Sequence, residues 1–197
     1  FDKRNSSILP SKGYYVGLAN DIAGLGGDVR YFKNALRAGG YISMDEENKW
    51  VLAIKGSVGV MSGLGKITRV VDRYELGGDS LRGFYDGGVG PRDMRTKDAL
   101  NGLYYYKGTA ELIFPLGLPA ELGVNGTAFT DVGAVWHPGN RSPFIKGDTP
   151  QPRVGIGAGV NWRSPFGLIG ATYAPWAWGV KHVDRKQQFN ITFGSNF

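Results

Sequence analysis

The 197 residues include no cysteine, which excludes disulfides and Cys-ligated zinc. No run of 18 apolar residues occurs, so a transmembrane helix is excluded; a transmembrane barrel is not, because its strands are individually weak signals. Histidine is nearly absent. His137 and His182 fall in different expected loops, with no acid or second His at ligand spacing, so no metal or cofactor site is expected. Catalytic signals are missing as well. Ser62, Ser80 and Ser164 lack a nucleophile elbow, and Asp45-Glu46-Glu47 reads as a solvated turn rather than paired catalytic carboxylates. No enzyme is expected. The net charge of +6 is scattered and forms no basic stripe, so no nucleic-acid partner is expected. The chain begins at Phe1 without Met and without a charged or apolar leader, as a mature or excised fragment would.

What the chain does contain is glycine (32 residues), aromatics (13%) and short alternating segments. The final expected strand, 187–197, is the clearest. Phe189, Ile191, Phe193 and Phe197 fall on one face of a period-2 strand, with Gln188, Asn190, Thr192 and Asn196 on the other. An apolar face against a polar face suits a strand between lipid and a watery lumen. Seven further strands are expected at about 13–20, 29–42, 50–60, 104–114, 121–136, 153–162 and 167–174. In the third, Trp50, Leu52, Ile54, Val58 and Val60 oppose Lys55, Ser57 and Gly59. In the fifth, Leu122, Val124, Ala128, Val132 and Trp136 oppose Asn125, Thr127, Phe129 and Asp131. Glu111 lies on the polar face of the fourth.

The connections alternate long and short: 20–28, 43–48, 61–103, 115–119, 137–152, 163–166 and 175–186. Outer-membrane barrels are built this way, with long loops outside and tight turns inside. Trp50, Phe114, Trp136, Trp162, Phe166 and Phe197 lie near strand ends, as interfacial aromatics do. Gly155, Gly157 and Gly159 alternate within a strand that no helix follows, so they suit a smooth strip for a packed loop and not a phosphate cradle. Trp176 and Trp178 suit either a membrane surface or a lumenal cap.

The segment 77–93 reads GGDSLRGFYDGGVGPRD. It is followed by GTAELIFPLGLP (108–119), AFTDVGAVW (128–136), GAGVNWRSPFG (157–167) and the terminal FNITFGSNF. Together and in this order, these motifs resemble the BamA superfamily of barrel-assembly and polypeptide-transport proteins, nearest to its alphaproteobacterial members. The resemblance implies an antiparallel transmembrane β-barrel of about sixteen strands, of which this chain supplies the second half, about eight. It implies that 61–103 is an extracellular loop folded into the lumen. Arg82, with Gly83 and Phe84, then matches the loop motif, Asp131 matches an inward acid, Phe129 an inward aromatic, and Glu111 a second acid. Residue chemistry agrees: Arg82 carries a planar five-donor cation suited to a bidentate carboxylate.

By the same resemblance the chain is expected in the bacterial outer membrane, assembling nascent β-barrel proteins. The terminal strand, with Phe189, Ile191, Phe193, Gly194 and Phe197, would carry the sorting signal and one side of a lateral seam. Outer-membrane lipids or lipopolysaccharide and periplasmic accessory lipoproteins are the further partners implied. A secretion transporter of the same superfamily and a passive outer-membrane barrel are the alternative expectations.

Overall fold

A computed structural model describes residues 1–24, 29–47, 49–65, 68–165 and 167–194. Eight long strands form one antiparallel sheet in sequence order. They are β1 (Gly13–Ala23), β2 (Tyr31–Ser43), β3 (Val51–Gly63), β4 (Tyr104–Pro115), β5 (Val124–Trp136), β6 (Arg153–Ser164), β7 (Gly167–Trp178) and β8 (Phe189–Gly194). Among the described residues, no helix is long and apolar enough to cross a membrane.

The sheet is inside out. Leu18, Ile22, Ile54, Val58, Trp162, Ile191 and Phe193 point outward and are exposed, Phe193 to 74%. On the opposite face Thr127, Asp131 and Arg153 are buried. That inner face is covered by the long connections. The described residues of 64–103 include two short 3-10 turns, Val70–Asp72 and Gly78–Ser80. Two small ladders join this connection to the others: Gly83–Phe84 pairs with Lys186–Gln187, and Arg92–Asp93 with Ile145–Lys146. The main hydrophobic core lies between this layer and the sheet, where Leu76, Leu81, Phe84 and Val89 pack with Met61 of β3 and Val135 of β5. Each such side chain contributes roughly 1.5–3 kcal/mol by leaving water.

Aromatic pairs mark the strand ends. Trp50 and Phe114 stack at 5.5 Å on the short-turn side, and Tyr104 and Trp136 at 5.8 Å on the long-loop side.

Several boundaries differ from the periodicity: β1 and β3 run on to Ala23 and Gly63, β2 spans Tyr31–Ser43, β6 ends at Ser164, and three further differences have a local cause. β5 begins at Val124, because Ala120–Leu122 forms a 3-10 turn and Gly123 takes a φ of +63°. β7 runs on to Trp178 through a register shift between Tyr173 and Trp176. Pro175, which has no N–H to give the ladder, sits in that irregularity. Trp176 and Trp178 therefore belong to a strand, paired with Ile156 and Val154 and exposed on the outer face. At the carboxy-terminal end, Gln187 pairs in the loop layer and the regular strand starts at Phe189. Phe166 and Phe197 lie outside the described residues.

The free edge of β1 is partly occupied by residues 1–5. Phe1 and Val16 exchange backbone bonds at 3.0 and 2.9 Å, and the Lys3 amide donates to the Tyr14 carbonyl at 2.9 Å. The outer edge of β8 meets no strand among the described residues.

Candidate functional site: an arginine seated on two strand rows

Register alone assembles the site. Across the sheet, Lys55, Thr109, Asp131 and Gly155 are successive cross-strand partners. The neighbouring inward row is Ala53, Glu111, Phe129 and Gly157. Two acids, an aromatic ring and two glycines thus converge on the inner face of β4, β5 and β6.

Arg82 lies across both rows. Its Nε and Nη2 donate to Asp131 Oδ2 and Oδ1 at 2.7 and 2.9 Å, the bidentate fork expected of a guanidinium. Its backbone N–H also donates to Asp131 Oδ2, at 3.0 Å. Nη1 donates to Glu111 Oε1 at 2.8 Å. The guanidinium carbon stands 3.5 Å over the Phe129 ring, a cation–π contact. Thr109 Oγ1 donates to Asp131 Oδ1 at 2.9 Å, and Lys55 Nζ approaches Glu111 Oε2 at 3.4 Å. Asp131 is 1% exposed, so its charge depends on these donors and not on water.

Burial opposes the Arg82 charge, but the hydrogen bond and charge of Asp131, together with Glu111, outweigh it and raise the pKa above the ordinary arginine value. Arg73, in the same connection, has only neutral partners among the described residues: Thr68 Oγ1 at 3.1 Å and the carbonyls of Leu100 and Thr68 at 3.0 and 2.5 Å. Burial lowers its pKa.

Glycine makes the approach of the backbone possible. A Cβ at Gly155 would sit 1.9 Å from the Arg82 carbonyl oxygen. Gly83 has a φ of +99°, and a Cβ there would meet Ala177 and Ala174. Phe84, 1% exposed, fills the core behind the motif.

Periodicity does not reveal a second buried pair. Arg153 at the start of β6 and Asp184 in the 179–188 connection are 0% and 1% exposed, with Nε 3.1 Å from Oδ2. Arg153 also caps the carbonyls of Thr149, Gln151 and Gly147 at 2.8, 2.9 and 3.1 Å. Asp184 accepts the Val180 amide at 2.6 Å and the Gly90 amide at 3.4 Å. Three long connections are tied at this point. Asp184→Asn keeps the shape and removes the charge. It is expected to cost about 2 kcal/mol, read as earlier proteolysis within 137–152 and 179–188 while the strands stay folded.

Comparison with known proteins places this arrangement. The Omp85 superfamily domain matches residues 1–197. The chain belongs to the Omp85 superfamily. It is 33% identical over 168 residues to the outer membrane protein assembly factor BamA of Neorickettsia risticii, covering 85% of this chain and 22% of that protein. It is 33% identical over 171 residues to the sorting and assembly machinery component 50 homolog of Bos taurus, covering 85% of this chain and 36% of that protein. The crystal structure of BamA from Haemophilus ducreyi lacking POTRA domains 1-3 superposes with a TM-score of 0.81 at 26% identity, covering 97% of this chain and 40% of that one. The chain thus spans well under half the length of these proteins.

This Omp85 sheet is part of a β-barrel of the bacterial outer membrane. The outward apolar face is the surface that hydrocarbon requires.

Among the residues read from sequence, Arg82, Gly83, Phe84, Phe129, Asp131 and Glu111 come together at one place. Phe189, Ile191 and Phe193 share the outer face of β8, and Gly194 closes its described end. Sequence reasoning missed Arg153, Asp184 and Arg73, whose partners are mostly loop carbonyls that carry no sequence signal.

Proposed function

We propose that this chain forms the carboxy-terminal half of the barrel of an outer-membrane protein assembly factor, which folds and inserts nascent β-barrel proteins. The observation that carries this reading is the seating of Arg82 of the LRGF segment on Asp131, Glu111 and Phe129, beneath a sheet whose outer face is apolar. In this reading, the inner face lines a lumen and the 64–103 connection is an extracellular loop docked inside it. The role is noncovalent. No bond in the client is made or broken, and the protein lowers the cost of exposing unpaired backbone to lipid.

Client strands pair with an open strand edge, and β8 supplies one side of that seam. Three features of β8 suit it to the task. It has six described residues, among the described residues it pairs with β7 alone, and its apolar side chains Phe189, Ile191 and Phe193 face outward. Lipopolysaccharide or other anionic lipid at the loops and periplasmic lipoproteins are the further partners in this proposal.

Gly194 gives the seam its weakness, since a strand glycine packs no side chain. A Cβ there would meet nothing within 4 Å, so Gly194→Val fits without strain. In the intact protein, this substitution is expected to slow client-barrel insertion into proteoliposomes several-fold while leaving the protein's own folding yield unchanged. Equal insertion rates would reject the seam. Passage of an unfolded polypeptide across the vesicle wall without insertion of any client would assign the chain to secretion instead.

A further inference from the structure

Asp79 lies just upstream of Arg82, in the 3-10 turn Gly78–Ser80. The turn is closed on itself. Ser80 Oγ donates to the Gly77 carbonyl at 2.8 Å and accepts the Gly77 amide at 3.0 Å. With the turn closed and the Arg82 backbone held by Asp131, the Asp79 side chain reaches β8. Its Oδ1 accepts from Asn190 Nδ2 at 2.6 Å and from Thr192 Oγ1 at 2.5 Å.

These are the inward polar side chains of β8, opposite in parity to Phe189, Ile191 and Phe193. Thr192 faces Gly170 of β7, so lateral packing at that pair is minimal. One carboxylate oxygen in the loop therefore grips both inward donors of a strand that, among the described residues, pairs otherwise with β7 alone.

We infer that Asp79 is a positioning residue that couples the docked LRGF segment to the terminal strand. While Arg82 is seated, Asp79 holds β8 in register against β7. When the segment lifts, both donors are released together and the strand edge is free to open. The inference rests on the proposed seam for its functional meaning, but the coupling itself is a physical property that can be measured separately.

The test is hydrogen exchange of the intact protein in proteoliposomes, with client insertion read in parallel. Asp79→Ala is expected to speed amide exchange in residues 189–194 by about five- to tenfold, the effect of losing hydrogen bonds to a charged group at a partly wetted site, with β4 and β5 unchanged. Asn190→Ala with Thr192→Val removes the same grip from the strand side and is expected to give the same acceleration. Combining the two should add nothing further, because both break one interaction. Arg82→Ala, which does not touch β8, should also accelerate exchange there. Asp79→Asn, which keeps an acceptor oxygen, should restore most of the protection. Unchanged exchange in β8 for Asp79→Ala, or additive effects in the combined variant, would overturn the coupling. If exchange rises as expected but client insertion is unaffected, the coupling stands and the seam at β8 falls.

Discussion

Arg82→Ala is expected to release the 64–103 connection from the sheet while β1 to β7 stay paired. The substitution leaves Asp131, 1% exposed, and Glu111, 7% exposed, without the cation that bridges them. Breaking a buried ion pair by removing one partner costs roughly 3–5 kcal/mol, because the remaining charge stays out of water. Lys55 cannot compensate. It already lies near Glu111, and Thr109 offers Asp131 only one neutral hydroxyl. Such a loss shifts the docking equilibrium by roughly two to three and a half orders of magnitude.

The measurement is limited proteolysis of the folded intact protein, with cleavage expected inside 64–103 for the variant and not for the wild type. Arg82→Lys should fall between the two, since a point charge cannot fork onto Asp131 while also reaching Glu111. Wild-type protease resistance in Arg82→Ala would mean that the hydrophobic packing of Leu81 and Phe84 holds the loop without the ion pairs.

The second large effect is expected from the sheet side of the same contact. Gly155→Val places a branched side chain where the Arg82 carbonyl oxygen already stands, 1.9 Å from the new Cβ. The usual relief, a small shift of a flexible side chain, is not open here. The obstructing atom is backbone, and that backbone is fixed by the Arg82 amide on Asp131. Overpacking a fitted interior costs about 1–3 kcal/mol and more where backbone must move, so a loss of about 3 kcal/mol in loop docking is expected.

Gly17 of β1 is the control, because a Cβ there meets nothing within 4 Å and Gly17→Ala should leave docking unchanged. Gly155→Val and Arg82→Ala should not add when combined, since each abolishes the same seating. Additive losses in protease protection would show that Gly155 acts on strand pairing and not on the loop.

Both predictions concern residues that the sequence already brought together, and the reason is geometric. A strand has a side-chain period of two, so parity alone assigns Glu111, Phe129 and Asp131 to one face. Once neighbouring strands pair in sequence order, register carries that assignment across the sheet. The Asp131–Gly155 and Phe129–Gly157 pairs follow from two antiparallel ladders. The alternating glycines 155, 157 and 159 are visible in the sequence for the same reason, and Gly155 lies directly beneath the motif. The outer face was equally legible. Leu52, Ile54, Val132 and Ile191 all point away from the loop layer, with Ile54 55% and Ile191 49% exposed.

Parity specifies nothing beyond a regular ladder. The Trp176–Trp178 segment sits beyond a proline, and only pairing with Val154 and Ile156 settles that both rings face outward. The loops have no period at all. Asp184, Asp79 and Arg73 are ordinary loop residues until the chain folds back, and beside near neighbours they then meet Gly90, Arg153, Asn190 and Leu100, all far away in sequence.

The amino-acid sequence by itself determined the strands, their faces, their order and the motif that seats Arg82, because alternation is a local property written into every second residue. Only the tertiary structure decided how the three long connections interlock through Arg153 and Asp184, and that Asp79 reaches the terminal strand. Those contacts join segments whose separation along the chain is closed by the barrel fold and by nothing nearer.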